Sequence, residues 1–443
     1  MKSETKRIRF IDLFAGAGGL SEGFIRQGFE PIAHVEIDGA ACNTLRTRTA
    51  YHYLKEVNQF DKYTDYLKGK IKRSTLYDFL PDNLRKSVIH SAIGADNNEK
   101  IFKQIDEILG NQKVDLIIGG PPCQAYSLIN RPSINKKEVE DERNFLYIQY
   151  GEFLKKYQPD YFVFENVIGL YSAKDKEGIR YLDKLIQLYR EIGYETEYKT
   201  LNAADYGVLQ QRRRVILIGK KGTDKGFYPT FEKQANTFNV DEIFKGLPKL
   251  QAGEGKMGVT PYIAGDVSAY LLHKNITNGL DFTTLHIARP QNEQDKEIYR
   301  IAINKWLDKG ERLNYNDLEG RLKTHKNRHS FVDRFKVVAP NLSASQTVVA
   351  HIAKDGHYYI HPDIEQNRSL SIREAARLQS FPDDFYFEGE SEKPSRTAAF
   401  KQIGNAVPVV LAEEIAIKIN NLFNVSYTNT KGYINFPEVQ FNS

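Results

Sequence analysis

Apolar and polar residues alternate along the first forty residues in an order that predicts a strand, a turn, a helix and a second strand. Residues 8–14 form a short apolar run, and a glycine-rich stretch at 15–19 ends it. Residues 20–28 carry apolar side chains at near-helical spacing and stop at a glycine, and residues 31–37 are apolar again. A strand–helix–strand unit of this kind predicts a parallel sheet.

Three later apolar runs have the composition of strands that are buried on both faces, which is typical of parallel sheets. They are residues 114–118, 161–165 and 214–219. Helical patterns lie between them, around 144–157 and 178–192, and a long apolar helix is predicted at 406–422. The sequence therefore predicts an α/β fold, a Rossmann-like parallel sheet covered by helices.

The strand–helix rhythm is interrupted once, and this interruption predicts a second domain. Residues 220–338 lack the rhythm and are rich in Gly, Asn, Lys, Arg and His, whereas it returns at 371–381. We therefore predict one sheet domain made of residues 1–219 and 339–443, with a smaller domain inserted at 220–338. A Lys- and Tyr-rich stretch at 49–112 is predicted to be a mostly helical insertion at the rim of the sheet.

Composition narrows the classes of protein that the chain can represent. Its 443 residues allow two or three domains, and its net charge of +5 permits an anionic partner. No run of about 18 apolar residues occurs, which excludes a membrane span, and the first residues do not read as a signal peptide. Cys42 and Cys123 are the only cysteines, so a disulfide scaffold is excluded and a reducing compartment is favoured.

The glycine turn FAGAGG (14–19) follows a predicted strand and opens a predicted helix. Glycines there let a ligand approach the backbone, and the helix start offers free N–H groups. Glu36 ends the next strand, where a carboxylate can accept hydrogen bonds from ribose hydroxyls. The alternative is a tight turn with a solvent-facing acid, but the order of the pieces favours a ligand site.

A second loop, GGPPCQAYS (119–127), directly follows the apolar run 114–118. Open α/β sheets place their chemistry at the carboxyl ends of strands. A free thiol has a pKa of about 8.5, so a fraction of Cys123 is a thiolate nucleophile at neutral pH. The alternative is a buried apolar cysteine, which the flanking prolines and polar residues disfavour. Cys42 lies in an apparently helical stretch and is predicted to be structural.

Two further groups offer acid–base and anion-binding chemistry. Glu165 ends the run 161–165 and is a candidate acid–base partner for the thiol, although an ordinary strand-terminal glutamate is the alternative. Strand alternation places Arg212 and Arg214 on one face, where two guanidinium groups can hold a carbonyl oxygen or a phosphate. A charged strand entrance is the alternative for the arginines.

Together these motifs resemble the DNA (cytosine-5) methyltransferase family. The similar segments, in chain order, are DLFAGAGGLSEGF, HVEID, GGPPCQAYS, ENV, Q-x-R-x-R, REAARLQSFPDDF and QIGNAVPVV. They cover roughly residues 8–48, 112–219 and 340–422. Seven motifs in the family's order are far more specific than any one of them.

The resemblance implies a fold, a reaction and a set of site residues. S-adenosyl-L-methionine would be the cofactor, S-adenosyl-L-homocysteine the product, and no metal would be needed. Cys123, Glu165, Arg212 and Arg214 would be catalytic. The cofactor site would be lined by Phe14, Ala17, Gly18, Gly19, Glu36, Ile37, Pro121, Leu146 and Asn405.

The resemblance also implies double-stranded DNA as the partner. Residues 220–338 would recognise the target sequence, and residues 125–144 would form a loop that closes over the DNA. The basic stretch 321–336 favours phosphate contacts, although a solvated basic face is the default interpretation of such a run. The candidate DNA-binding residues are Gln124, Ser127, His286, Arg289 and Arg328.

One expected residue is missing, and alternative functions remain open. The family's acidic contact to the adenine amino group has no clear counterpart, Asp96 being poorly aligned. The main expectation is a monomeric, cytoplasmic bacterial or phage enzyme of a restriction-modification system. The alternatives are an RNA (tRNA) cytosine-5 methyltransferase, a non-catalytic binding module that keeps the cofactor pocket, and, more distantly, a nicotinamide oxidoreductase.

Overall fold

A computed structural model describes residues 7–430 except for 123–144 and positions 236, 278, 327 and 330. A mixed seven-stranded sheet in the order β3-β2-β1-β4-β5-β7-β6 forms its centre. The prediction of an α/β fold is therefore confirmed. The strands are β1 (Arg9–Leu13), β2 (Glu30–Glu36), β3 (Val88–His90), β4 (Leu116–Gly119), β5 (Tyr161–Asn166), β6 (Tyr194–Asn202) and β7 (Arg213–Lys221).

Helices connect and cover the strands. Those described are α1 (Gly19–Arg26), α2 (Gly39–Glu56), α3 (Phe60–Leu67), α4 (Arg73–Asp78), α5 (Asp82–Lys86), α6 (Asn98–Leu109), α7 (Leu146–Tyr157), α8 (Tyr181–Glu191), α9 (Ala269–His273), α10 (Glu293–Lys309), α11 (Ile372–Leu378), α12 (Arg396–Asn405) and α13 (Val409–Thr430). Short two-stranded pairings join β8 (Gly255–Lys256) to β11 (His286–Ile287) and β9 (Thr260–Pro261) to β10 (Phe282–Thr283).

The strand directions differ from the sequence prediction at one side of the sheet. Strands β1 to β5 run parallel, but β7 pairs antiparallel with both β5 and β6. The prediction that the run 214–219 continues a parallel sheet is wrong, because residues 194–202 supply an edge strand that the sequence pattern did not indicate. The start of β7 therefore lies beside the end of β5.

The two faces of the sheet are buried by different helices because neighbouring side chains of a strand point to opposite sides. Ile117 and Phe162 face one core, which includes buried residues of α6, α7 and α8. Leu116 and Val163 face the other core, which includes α1 and α13. Helices thus cover both faces of the sheet. A functional site is therefore expected at the ends of the strands.

Residues 49–112 contain the predicted helices but also contribute to the sheet. Helices α3, α4 and α5 lie within this stretch, followed by strand β3 and helix α6. The apolar side chains of α3 and α4 pack with the second half of α2 and with Phe282 of β10. The insertion therefore contacts residues from the region 220–338.

Residues 220–338 share cores with the segment that follows them. Val240, Ile243 and Leu271 pack with residues of α11 and with Phe381. Helix α10 has a smaller core of its own, which includes Tyr299 and Phe335. A separate target-recognition domain at 220–338 stays a prediction.

A buried ion network ties helix α1 to the returning segment. Arg48 of α2 donates to both carboxylate oxygens of Glu22, at 2.6 and 2.9 Å, and to Oδ1 of Asp384 at 2.8 Å. His52 approaches Glu22 at 2.9 Å. Glu22, Arg48 and Asp384 have side chains that are almost fully buried. This network fixes the helix that carries the glycine turn.

Substitution of Arg48 by methionine should lower the free energy of unfolding by about 3–5 kcal/mol, because it leaves two carboxylates buried without their main cation. Urea or thermal unfolding would measure the loss. The matched control is Arg180→Met, which breaks an exposed pair with Asp183 and should cost at most about 1 kcal/mol. Equal losses for the two variants would contradict a stabilising role of the network.

The same network gives the Arg48 variant a pH signature. Burial favours the neutral form of Glu22, but Arg48 and His52 outweigh it and lower the pKa of Glu22 well below its usual range. The stabilisation is therefore complete above the unfolded glutamate pKa of about 4.3 and is lost as the pH falls toward the folded value. The difference in the free energy of unfolding between wild type and the Arg48 variant should therefore become smaller below that pH.

Candidate active site

The candidate groups meet at the carboxyl edge of the parallel strands. The glycine turn follows β1, Glu36 ends β2, Gly119 ends β4 and Glu165 lies near the end of β5. Because β7 is antiparallel, its first residues lie at the same edge. One edge therefore brings together elements that are far apart in the sequence.

The glycine turn packs tightly against the segment that follows α12 and against α2. A Cβ atom at Gly19 would come within 2.4 Å of the carbonyl oxygen of Val407, and one at Gly18 would come within 2.8 Å of Leu45. Gly18 also has a φ of 82°, a conformation that side chains other than glycine rarely adopt. Glycine at position 19 allows the turn to contact the segment after α12, and glycine at position 18 allows it to approach α2.

Glu36 holds the glycine turn to the end of β2. Its Oε2 accepts the backbone N–H of Gly16 at 2.8 Å, and its Oε1 accepts those of Ile37 and Asp38 at 2.9 and 2.8 Å. Burial raises the pKa of Glu36, although these backbone donors act in the opposite direction. Next to it, the side chain of Ile37 is 65% exposed and offers an apolar surface at the sheet edge.

The other candidate cofactor residues surround the same edge. Phe14 is half-buried directly after β1, and Ala17 is buried in the glycine turn. Leu146 is half-buried at the first position of α7, whereas Asn405 is exposed at the last position of α12. The carbonyl oxygen of Pro121 accepts a hydrogen bond from Asn166, as described below.

Two residues at the end of β3 bear on the missing adenine contact. Asp96 is exposed in the loop between β3 and α6. His90 is the last residue of β3, and its Nε2 lies 2.9 Å from the carbonyl oxygen of Ile37. The imidazole of His90 thus lies beside Ile37, the first residue after β2.

The cysteine loop can be followed only to Pro122, since Cys123, Gln124 and Ser127 lie outside the described residues. A Cβ atom at Gly120 would come within 2.7 Å of Oε2 of Glu165, so the backbone passes directly over this carboxylate. The Asn166 side chain donates to the carbonyl oxygen of Pro121 at 3.2 Å. The end of β5 therefore fixes the start of the loop that carries the thiol.

Glu165 and Arg214 form an ion pair beside this loop. Nε of Arg214 lies 2.7 Å from Oε1 of Glu165, and each side chain is 13% exposed. Arg214 also donates from Nη1 to the backbone carbonyl of Arg213 at 2.8 Å. The antiparallel pairing of β5 with β7 produces this contact, since it sets Asn166 opposite Val215.

Arg212 lies in a different place from Arg214. It is 1% exposed, and it donates from Nη1 to the carbonyl oxygen of Val348 at 2.6 Å and from Nη2 to that of Gly404 at 3.1 Å. The expectation that the two arginines share a face conflicts with this geometry, because β7 begins only at Arg213 and strand alternation does not extend to Arg212. In the structure, Arg212 holds the returning segment to the end of α12.

Gln210 supports the same contact and was not among the candidate site residues. Its Oε1 accepts the N–H of Val348 at 2.8 Å, and its Nε2 donates to the carbonyl oxygen of Leu378 at 3.0 Å and to Gln379 at 3.1 Å. Its place two residues before Arg212 in the Q-x-R-x-R motif was the available signal. The first two members of the motif bind the returning chain, and only the last reaches Glu165.

A buried carboxyl group in β1 was also missed. Asp12 is 1% exposed, and burial, reinforced by the nearby charge of Glu36, raises its pKa well above the usual range. An aspartate inside the apolar run 8–14 was the signal for it. Asp12 therefore adds a buried acid two residues before the glycine turn.

Two of the candidate DNA contacts are occupied by protein groups. His286 is fully buried, with Nδ1 3.0 Å from Ser371 and Nε2 2.8 Å from the carbonyl oxygen of Pro248. Arg289 donates from Nη1 to the carbonyl of Ala353 at 2.8 Å and from Nη2 to that of Lys354 at 2.7 Å. These contacts conflict with the expectation that either side chain reads a base.

Arg328, the last DNA candidate among the described residues, and Cys42 differ in burial. Arg328 is exposed, and its only described contact is to the backbone of Lys323. Cys42 is buried in α2, where its Sγ lies 3.4 Å from the carbonyl oxygen of Glu36. Burial, with a contribution from the charge of Glu36, raises the pKa of Cys42 to about 12, which makes this thiol a poor nucleophile.

Two negative findings apply to the described part of the chain. It contains no cluster of three or more His, Cys, Asp or Glu side chains arranged to hold a metal ion. Among the same residues, no helix combines the length and the apolar character that crossing a membrane requires.

Comparison with known proteins identifies the family to which the chain belongs. The model of the C-5 cytosine-specific DNA methylase family matches residues 8–80 and 88–421. The chain belongs to that family, and it is a DNA cytosine-5 methyltransferase.

Its relatives include bacterial enzymes of similar length. The type II methyltransferase M.Bpa9945I of Bacillus paralicheniformis is 39% identical over 94% of this chain and 99% of its own. The type II methyltransferase M1.HphI of Haemophilus parahaemolyticus is 31% identical over 92% of this chain and 86% of its own. A solved DNA modification methyltransferase from an Escherichia coli prophage shares the fold, with a TM-score of 0.58 and 23% identity over 94% of this chain and 99% of that one.

Proposed function

We propose that the protein methylates carbon 5 of a cytosine extruded from duplex DNA, using S-adenosyl-L-methionine as the donor and Cys123 as a covalent nucleophile. The observation that supports this most directly is the Glu165–Arg214 ion pair beneath Gly120. It places an acid and a guanidinium group beside the start of the loop that carries the thiol. The glycine turn and Glu36 lie on the same sheet edge.

The residues at that edge suit an adenosine group with a positively charged sulfonium. A carboxylate oxygen has two lone pairs, and Oε2 of Glu36 uses one for Gly16, so it can also accept a ribose hydroxyl. Gly18 and Gly19 allow close approach, and Ile37 offers apolar surface to a base. When bound, S-adenosyl-L-methionine would supply an electrophilic methyl group, and S-adenosyl-L-homocysteine would leave.

Carbon 5 of cytosine is too weak a nucleophile to react directly, and Cys123 would overcome this. Its thiolate adds to carbon 6 and drives electron density onto carbon 5, which can then accept a methyl group. Loss of the carbon-5 proton to a base restores the double bond and expels the Cys123 thiolate. Water or hydroxide is the simplest base for this step.

Arg214 and Glu165 would stabilise the ring while the thiol is attached. A guanidinium group is a strong donor to the cytosine carbonyl oxygen, and a protonated carboxyl can donate to N3 as charge develops there. In the described structure the two side chains bind each other. When the cytosine enters, Arg214 would donate to the base instead of to Glu165. The guanidinium and carboxyl groups would then both lie along the polar edge of the cytosine.

Arg212 would act on this site indirectly. Its Nη1 and Nη2 groups donate to the carbonyl oxygens of Val348 and Gly404, so it would position the wall next to Asn405 rather than hold the base. The sequence analysis placed Arg212 in the catalytic set, and these contacts support a positioning role instead.

The target cytosine must leave the base stack, because a thiol cannot reach carbon 6 inside a duplex. Residues 220–338 would select the sequence, and residues 125–144, which lie outside the described part, would close over the DNA. Exposed Arg328 would contact phosphate. The biological role would be protection of host or phage DNA from a partner restriction enzyme, as the names of the type II relatives suggest.

Incubation of the purified protein with tritiated S-adenosyl-L-methionine tests the proposal. Duplex genomic DNA should become labelled as 5-methylcytosine, while transfer RNA should not. Bisulfite sequencing of DNA from an expressing host should then show one methylated sequence context. Label in transfer RNA alone would establish the RNA alternative, and no label in either would favour a non-catalytic binding module.

A further inference from the structure

A lysine-rich turn connects α3 and α4 within the insertion. This lysine turn comprises residues 68–72, and it presents the exposed side chains of Lys68, Lys70 and Lys72. Lys70 forms an ion pair with Asp65 at 2.8 Å. Among the described residues the structure shows no ion pair for the other two lysines, which leaves their charge available.

Arg73 anchors the lysine turn near the sheet edge that carries the site. Its Nη1 donates to the carbonyl oxygens of Gly389 and Ser391, each at 3.0 Å. Asn43, in the second turn of α2, also donates to the carbonyl of Gly389 at 3.0 Å. Helix α2 begins three residues after Glu36, so the Gly389 carbonyl links the lysine turn to the helix that starts beside the candidate cofactor site.

The lysine turn also faces the region predicted to recognise DNA. A cavity of about 480 Å³ separates them, lined by Tyr66, Lys68 and Lys72 on one side and by Met257 and Gly258 on the other. The Nζ of Lys68 lies 5.3 Å from the ring centroid of Phe282. The turn therefore forms one wall of an open cleft whose opposite wall belongs to residues 220–338.

The charges at this cleft favour an anionic occupant. The nearby carboxylate of Glu392 lies 3.9 Å from Nε of Arg73, and Glu388 lies 3.3 Å from Nη1 of the same arginine. Arg73 supplies one positive charge against these two carboxylates, and exposed Lys68 and Lys72 supply two more, so the positive charges of this group outnumber its negative ones. A solvated turn is the ordinary interpretation of such lysines. Here, however, Lys68 and Lys72 line a cleft together with Met257 and Gly258, and this placement favours contact with an anion in the cleft.

We propose that the lysine turn binds the phosphate backbone of duplex DNA outside the recognised sequence. The inference rests on the proposed function, because it assumes that DNA occupies the cleft between the site and residues 220–338. Phosphate contact by Lys68 and Lys72 would lengthen the footprint and strengthen binding without selecting a sequence.

The double variant Lys68→Ala and Lys72→Ala tests this. Each phosphate contact contributes about 0.9 to the slope of log affinity against log salt, so the variant should lower that slope by roughly 1.8. The matched control removes Lys113 and Lys155, which are exposed directly before β4 and near the end of α7, at the opposite edge of the sheet. The control should keep the wild-type slope.

A second measurement uses methyl transfer to duplexes that carry the methylated sequence with short or long flanks. Wild type should prefer the long flanks at moderate salt, the double variant should lose that preference, and both should reach the same turnover at saturating DNA. An unchanged salt slope, or a loss shared with the control, would overturn the inference. A wild type that binds duplex DNA but transfers no methyl group would instead refute the proposed function, because the salt slopes are measured by binding alone.

Discussion

Replacement of Cys123 by serine should abolish methyl transfer while leaving cofactor and DNA binding in place. A serine hydroxyl is far less acidic than a thiol, so almost none of it is ionised near neutral pH and it cannot add to carbon 6. The tritium-transfer assay should detect no product. Duplex DNA containing 5-fluorocytosine should trap wild type as a covalent adduct that resists denaturation, and it should not trap the variant.

The chain provides its own control for this substitution. Cys42→Ser changes the same group in a buried helix, where a hydroxyl can still donate to the carbonyl oxygen of Glu36. Turnover and adduct formation should therefore persist in that variant. Near-normal turnover by Cys123→Ser would refute the nucleophile assignment, and loss of DNA binding by it would show that the change had disturbed more than the chemistry.

The sequence predicted the elements whose signal is local. Apolar runs predicted strands β1, β2, β4 and β5 to within a few residues. The same pattern predicted one ligand site that contains the glycine turn and Glu36. The structure shows Glu36 bonded to Gly16, and ligand binding there stays a prediction. The order of seven motifs then identified the family, which the comparison confirmed.

The pattern of apolar residues could not predict the direction of a strand or the residue at which it begins. Hydrophobic periodicity is the same for a strand read in either direction, so it did not indicate that β7 is antiparallel. The residue at which β7 begins determines where the two arginine side chains lie. Since β7 begins at Arg213, Arg212 precedes the alternation and turns into the interior, whereas Arg214 reaches Glu165.

Long-range contacts explain why two of the DNA candidates are occupied by protein groups. His286 and Arg289 have the side chains that read guanine, and their sequence neighbourhood gave no reason to exclude them. Their donors are used instead on Pro248 and on the carbonyls of Ala353 and Lys354. Only the three-dimensional packing of the returning segment could show that these polar groups satisfy backbone carbonyls inside the protein.

Substitution of Glu165 by glutamine should lower kcat by about 10²–10⁴-fold, the usual contribution of a general acid, and should change substrate KM much less. The amide keeps the shape of the carboxyl and can still accept a hydrogen bond from Arg214, so the site should remain assembled. It has no carboxyl proton to give to N3, and the charge that develops on the ring loses its neutralising partner. Steady-state kinetics with DNA as the varied substrate would separate the two parameters.

The matched control is Glu195→Gln. Glu195 also pairs with an arginine, Arg190 at 3.2 Å, but it lies near the start of β6, at the opposite end of the sheet from Glu165. Its loss removes one carboxylate from the same sheet without touching the edge where the motifs meet, so kcat should stay near the wild-type value. If the two glutamine variants turned over alike, the ion pair beneath the cysteine loop would be structural, and proton donation to the ring would have to come from another group.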